Sequence, residues 1–157
     1  MSNTIPSRPR QFQQRRAVAI VASQYNEEFV SALVSHAQKE LGALLPDGTV
    51  QVYHAPGAFE IPLIVQELAE RATFSALIAL GVIIKGDTDH ARLIGEAVTR
   101  SLLDISLHFR IPVIHEVLLL ENEEQARARC LGEELNRGTE AARVAVRAML
   151  AVSETRK

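Results

Sequence analysis

The amino-acid sequence predicts an α/β domain, a parallel sheet with helices on both faces. Three observations carry this. Four short apolar runs are rich in β-branched residues, as strands are. Between them, apolar residues recur at three- and four-residue spacing, the buried stripe of a helix. Runs and stripes then alternate along 157 residues, a length suited to one domain.

Residues 17–22 form the first run, apolar on both faces like a strand covered from both sides. From Glu27 the spacing changes: Val30, Leu33, Val34, Ala37, Leu41 and Leu44 make one helical stripe, with Asn26 placed to cap it. Pro46-Asp47-Gly48 predicts a turn and residues 49–54 a second strand. After Ala55-Pro56-Gly57 a helix is expected over about 60–71, with Pro62 in its first turn, where a missing N–H costs nothing. Residues 76–84 are the most apolar strand. A long helix then runs to about Phe109, with Leu93, Ile94, Ala97, Val98, Leu102 and Ile105 expected to face inward. Residues 112–120 read as a fourth strand, followed by helices over about 123–131 and 139–153.

The remaining features bound the function. A net charge of -2 creates no long-range field for nucleic acid or an anionic membrane surface. No 18-residue apolar run predicts a transmembrane helix. Cys130 is the one cysteine, so no internal disulfide forms; with no secretory segment, a reducing cytoplasm is the expected location. Residues 1–16 carry Pro6, Pro9, Gln11, Gln13, Gln14 and four arginines, and read as a flexible or externally docked arm ahead of a single domain over 17–157.

Ligands of parallel α/β sheets gather beyond the carboxyl ends of the strands. That rule selects residues 23–26, 55–60, 85–90 and the stretch after Leu120. In the third, Gly86 permits close backbone approach, and Asp87, Thr88 and His90 stand where a helix starts, a setting suited to phosphate and proton transfer. Equally, Thr88 or Asp89 caps the helix and His90 is a solvated first-turn residue. Phe59 and Glu60 read either as a stacking wall beside a polar edge or as a core ring beside a first-turn carboxylate. Tyr25-Asn26 is a second aromatic-plus-amide pair with the same ambiguity. Arg127 and Arg129 share their helix with Glu123 and Glu124; surface ion pairs and a phosphate clamp are both open. No Cys/His set predicts a metal, and no P-loop, dinucleotide fingerprint or hydrolase serine elbow is present.

Taken together, Ser23-Gln24-Tyr25-Asn26-Glu27, Ala55-Pro56-Gly57-Ala58-Phe59-Glu60-Ile61-Pro62, the 81–90 run ending Lys85-Gly86-Asp87-Thr88-Asp89-His90, and Pro112-Val113-Ile114 through Arg129 to Asn136-Arg137-Gly138 resemble the lumazine synthase family over about 17–150. The resemblance implies a flavodoxin-like α/β/α sandwich with strand order 2-1-3-4. It implies condensation of 5-amino-6-(D-ribitylamino)uracil with 3,4-dihydroxy-2-butanone 4-phosphate to 6,7-dimethyl-8-ribityllumazine, a transferase step of riboflavin biosynthesis needing no cofactor. By the same resemblance Tyr25 and Phe59 flank the pyrimidine, while Asn26, Ala58, Glu60 and the backbone at Val82 and Ile83 bind its edge and ribityl chain. Gly86, Asp87 and Thr88 match the loop that holds the butanone phosphate. His90 matches the proton-transfer residue and Arg129 the arginine that pairs with phosphate.

In the family a neighbouring subunit supplies the arginine and a fourth-strand residue; the resemblance further implies a homopentamer, with a sixty-subunit shell as a further assembly and riboflavin synthase as a possible partner. Three positions depart from the pattern. His115 replaces a phenylalanine, turning a stacking wall into a polar, titratable ring. Ala91 replaces the aromatic after the loop histidine, and Arg137 replaces a lysine. The competing readings are a flavin- or lumazine-binding relative without turnover, a shell component, and an unrelated phosphate-binding enzyme of the same plan.

Overall fold

In the computed structural model, which describes residues 3–157, four strands form one parallel sheet. They are β1 (Ala17–Ser23), β2 (Thr49–Ala55), β3 (Ala76–Ile84) and β4 (Val113–Leu120), in the order β2-β1-β3-β4, as expected. β1 and β3 are central and must bury both faces, which is why they read as unbroken apolar runs. The edge strands β2 and β4 mix buried and part-exposed positions. β4 starts one residue later than expected, because Pro112 has no N–H for a ladder; its carbonyl accepts from Leu77 N at 2.9 Å.

Among the described residues five α-helices complete the layers: α1 (Glu27–Leu44), α2 (Ile61–Glu70), α3 (His90–Phe109), α4 (Glu123–Ala126) and α5 (Arg137–Thr155). Strand side chains alternate between the two faces. Val18, Ile20, Ala22, Ile78 and Leu80 meet Leu33, Leu41, Ala142 and Val146 of α1 and α5. Ala19, Val21, Leu77 and Ala79 meet Ile61, Val65, Val98 and Leu102 of α2 and α3. Among the described residues no helix is long and apolar enough to cross a membrane.

Two helices differ from expectation. The helix expected over 123–131 is one α turn followed by a π turn, Arg127–Leu131, closed by Gly132 N to Arg127 O at 3.2 Å. Downstream, the fully buried Asn136 donates Nδ2 to Cys130 O at 2.7 Å and Gly132 O at 3.0 Å, satisfying carbonyls that the end of the turn leaves without a helical partner. The same side chain's Oδ1 accepts from Gly138 N and Thr139 N, so α5 starts at Arg137.

Residues 3–16 lie along α1 and α5 of their own chain. Met1 and Ser2 fall outside the described residues. Phe12 is 7% exposed, joins the α1–α5 core, and donates its N–H to Leu44 O at 3.0 Å. Glu40, 6% exposed on α1, needs cations to offset its burial. Arg8 Nε and Nη2 donate to its two oxygens at 2.9 and 2.7 Å, and Arg143 Nε donates to Oε1 at 2.8 Å. The Arg8 hydrogen bonds, joined by Arg143 and opposed by burial, hold the Glu40 carboxyl at about 2.

Two glycines separate packing from propensity. A Cβ on Gly138 would run into the Leu33 backbone, whereas one on Gly42, an exposed α1 position, would meet nothing within 4 Å. Gly138→Ala should therefore destabilise by about 3 kcal/mol or more, the upper range for overpacking against a rigid wall. Gly42→Ala should stabilise by roughly 0.5–1 kcal/mol through helix propensity. Urea midpoints of the two variants, moving in opposite directions from the parent, are the check.

Candidate active-site cleft at the strand ends

The cleft begins where the strands stop at different heights. The β1–β3 ladder ends at Ala22–Leu80, but β3 and β4 stay paired to Ile84–Leu120. The last turn of β3 therefore has no strand on its β1 side. Asn26 fills one of the exposed bonding positions: its Nδ2 donates to Val82 O at 2.8 Å. It stands at the N-cap of α1 but makes no side-chain cap bond, and its φ of 55° is left-handed, a region asparagine tolerates better than most residues. The expected cap is thus a tie between two strand ends.

Around this notch lies a cleft of about 850 Å3. Tyr25, Asn26 and Gly57 to Glu60 line one side; Val82, Ile83 and Ile84 the floor; His90, Leu93, Ile94 and Ala97 the other. Tyr25 and Phe59 are 73% and 61% exposed, so Phe59 is not a core ring, and two aromatic faces stand open at the cleft. Gly57 lies between Glu60 and Tyr25: a Cβ there would sit 2.9 Å from Glu60 Oε2, the movable end of that side chain, and 3.5 Å from the Tyr25 ring, an ordinary contact. Apolar walls, open rings and one carboxylate suit a flat heterocycle carrying N–H donors.

The 85–90 loop is exposed and leads into α3, whose first residue is His90. Asp89 holds the N-cap position without a side-chain cap bond and pairs instead with Arg92 at 3.3 Å. The expected cap by Thr88 or Asp89 is absent, leaving the positive end of a 20-residue helix beside the cleft without a side-chain cap. Gly86, Asp87 and Thr88 precede His90 on this loop but do not line the cleft.

Three expected site residues stand apart from it. Arg129 is half-buried on the π turn, with Nη2 3.4 Å from Asn3 Oδ1. Arg137 is 4% exposed and ion-paired with Glu140. His115 points toward α3: its Nδ1 accepts from Val117 N at 3.1 Å and its Nε2 lies 2.7 Å from Thr99 Oγ1. An accepting Nδ1 puts the proton on Nε2, which donates to Thr99, whose hydroxyl donates to Gly95 O at 2.7 Å. Burial also moves the His115 pKa below its usual value. Both effects favour the neutral form of this ring, and both of its nitrogens are engaged. Arg127 pairs with Glu28 and Glu123 at the surface.

Sequence reasoning missed Ile84 and Gly57, and assigned Leu93, Ile94 and Ala97 to the core. Leu93 is 55% exposed and Ala97 is exposed, while Val98, Leu102, Ile105 and Ala91 carry the burial. The stripe was too wide for one packing face, and its surplus edge is the cleft wall. Glu116 was also missed, though it interrupts an apolar strand. Burial, with Glu140 adding to it and Arg137 opposing, pushes its carboxyl up to about 8. Burial and Glu116 together push Cys130 up to about 12, so it is no thiolate nucleophile near neutrality.

Residues 15–153 match the family model of 6,7-dimethyl-8-ribityllumazine synthase. A Paraburkholderia phytofirmans protein of that name is 44% identical over 130 residues, 82% of this chain and 75% of that one. A Burkholderia vietnamiensis protein of the same name is 42% identical over the same shares. Among solved structures, a de novo designed Rossmann-fold protein superposes with TM-score 0.41 at 12% identity, over 71% of this chain and 90% of that one.

Glu116 generates a pH prediction. Its folded pKa of about 8 lies above the ordinary 4.5, so its contribution to stability is full below about pH 4.5 and is lost as pH rises through about 8. Urea midpoints should fall between pH 5 and 8 in the parent and lose that component in Glu116→Gln. Parallel profiles for the two proteins would contradict the assignment.

Proposed function

The chain belongs to the 6,7-dimethyl-8-ribityllumazine synthase family, and we propose that it condenses 5-amino-6-(D-ribitylamino)uracil with 3,4-dihydroxy-2-butanone 4-phosphate, releasing phosphate and water. The observation that carries this reading is one cleft gathering Tyr25, Asn26, Phe59, Glu60 and His90 in a chain matched to the family over residues 15–153. The pyrimidine lies against Tyr25 and Phe59. Glu60, Asn26, Ala58 and the backbone at Val82 and Ile83 meet its polar edge and ribityl chain. The butanone phosphate lies at Gly86, Asp87 and Thr88, near the uncapped start of α3, with Arg129 supplying the counter-charge.

Each step makes a demand that these groups meet. Attack of the amine on the ketone and closure of the ring require alignment, which the two rings and the carboxylate provide. Elimination of phosphate requires stabilised negative charge and a proton carrier, the roles of Arg129 and His90. Neither departure that suggested a relative without turnover alters the lining of the cleft. Ala91 packs into the core, at 8% exposure, and does not line the cleft. His115 uses both ring nitrogens within its own chain and leaves His90 and Glu60 untouched.

Arg129 and His115 lie outside the single-chain cleft, which supports a site completed by a neighbouring subunit, whereas Arg137 is buried against Glu140 in its own chain. Exposed Leu63, Leu103 and Leu107 on α2 and α3 support a homopentamer, since a lone chain would leave these side chains in water. The short stretch from Cys130 to Asn136 favours further closure into a sixty-subunit shell. Pro6 and Pro9 disfavour the strand addition that accompanies such shells. The lone, buried Cys130 fits a cytoplasmic location, and riboflavin synthase is the partner this reading allows.

Lumazine absorbance on mixing purified protein with both substrates tests the activity. His90→Ala should lower kcat by roughly 10²–10⁴-fold, the range of general acid–base groups. Arg129→Ala should chiefly raise KM for the phosphorylated substrate. If both variants keep parental turnover and affinity, the site assignment is wrong.

A further inference from the structure

The amino-terminal segment spans the α1–α5 face from one end of the sheet to the other. Near the carboxyl ends of the strands, Arg129 Nη2 meets Asn3 Oδ1 at 3.4 Å. Arg143 Nη1 then donates to Pro6 O at 2.8 Å, and Arg147 Nη2 donates to Ser7 O at 2.8 Å and Ser7 Oγ at 2.9 Å. Arg8 grips Glu40, Gln11 Nε2 donates to Ala43 O at 3.0 Å, and Phe12 closes the run at Leu44. Pro6 and Pro9 fix their own φ angles and disfavour helix in the residues before them, which lowers the entropy lost on docking. The segment is thus a strap with one anchored end in the core and one end on Arg129.

Arg129 is held from below as well. Asn136 fixes the carbonyls of Cys130 and Gly132 on either side of the π turn's end. With the backbone set, the remaining freedom is in the long side chain, and its guanidinium is the part that Asn3 touches.

We propose that the strap is a positioning element for Arg129: clipped through Arg8 and Glu40, it holds the Asn3 side-chain oxygen Oδ1 against the guanidinium and so restricts the directions from which that side chain meets a phosphate. The proposal rests on the reading of Arg129 as the phosphate-binding arginine. Order imposed before binding is order that binding does not have to impose, so the strap strengthens phosphate affinity. Neither Asn3 nor Arg8 contacts substrate in this account.

The test uses the full-length chain, with inorganic phosphate titrated calorimetrically and thermal unfolding confirming that each variant folds. Arg8 is well exposed, so its removal leaves the apolar core intact. Asn3→Ala and Arg8→Ala should each raise the phosphate Kd roughly two- to fivefold, the scale of one exposed polar contact. The double variant should be no weaker than the weaker single, because both changes break one chain of contacts. KM for the phosphorylated substrate should follow Kd, with kcat moving less. An unchanged Kd in either single variant, while Arg129→Ala weakens phosphate, overturns the strap and leaves the arginine's role standing. An unchanged Kd in Arg129→Ala overturns both.

Discussion

The cleft exists because the central strands of a parallel sheet end at different places. β1 stops pairing with β3 at Leu80, while β4 continues alongside β3 to Ile84. The backbone of Gly81 to Ile84 is thereby held on one side and open on the other. On its paired side β4 fixes its plane, and on its open side Asn26 takes one of its free carbonyls. Everything that lines the cleft hangs on that notch: the β1 exit places Tyr25, the β2 exit places Phe59 and Glu60, and the β3 exit leads through Gly86 to His90.

The opposite face of the sheet carries a different constraint. Glu40 is buried on α1 and is neutralised by one arginine from α5 and one from the amino-terminal segment. A buried carboxylate with a single partner would be poorly compensated, so the second arginine fixes the segment to the domain. The same face holds Asn136, which binds carbonyls at the end of the π turn and starts α5 with one side chain. Asn136 thus ties the backbone beside Arg129, and Glu40 ties down the segment whose Asn3 meets the Arg129 guanidinium.

The fold was legible because its signals are local. Continuous apolar runs mark the central strands, and three-to-four spacing marks α1 and α5 without help from the rest of the chain. The cleft was legible in part. Its motifs sit at strand ends, where topology alone places ligands, and Tyr25, Phe59, Glu60 and His90 follow from that rule. Side-chain direction was not legible. Asn26 looks like a cap in sequence because caps and strand-end ties use the same residue, and only the ladder's end at Leu80 distinguishes them. Leu93 and Ala97 look like core because an apolar cleft wall and a core face share one periodicity. The docking of residues 3–16 depends on Glu40 and Arg143, more than twenty residues away in sequence, and composition carries no trace of it.

In the proposed assembly one site is built from two subunits, with His90 on one and Arg129 on its neighbour. Mixed assembly tests it most directly. His90→Ala and Arg129→Ala chains, each impaired alone, are unfolded together in equal amounts, refolded, and assayed for lumazine formation. If each site draws one residue from each of two adjacent copies in a cyclic assembly, about a quarter of the sites recover both groups, and turnover should return to about that share of the parent's. Turnover no higher than the average of the two separate variants would place both residues in one chain's site and contradict the account.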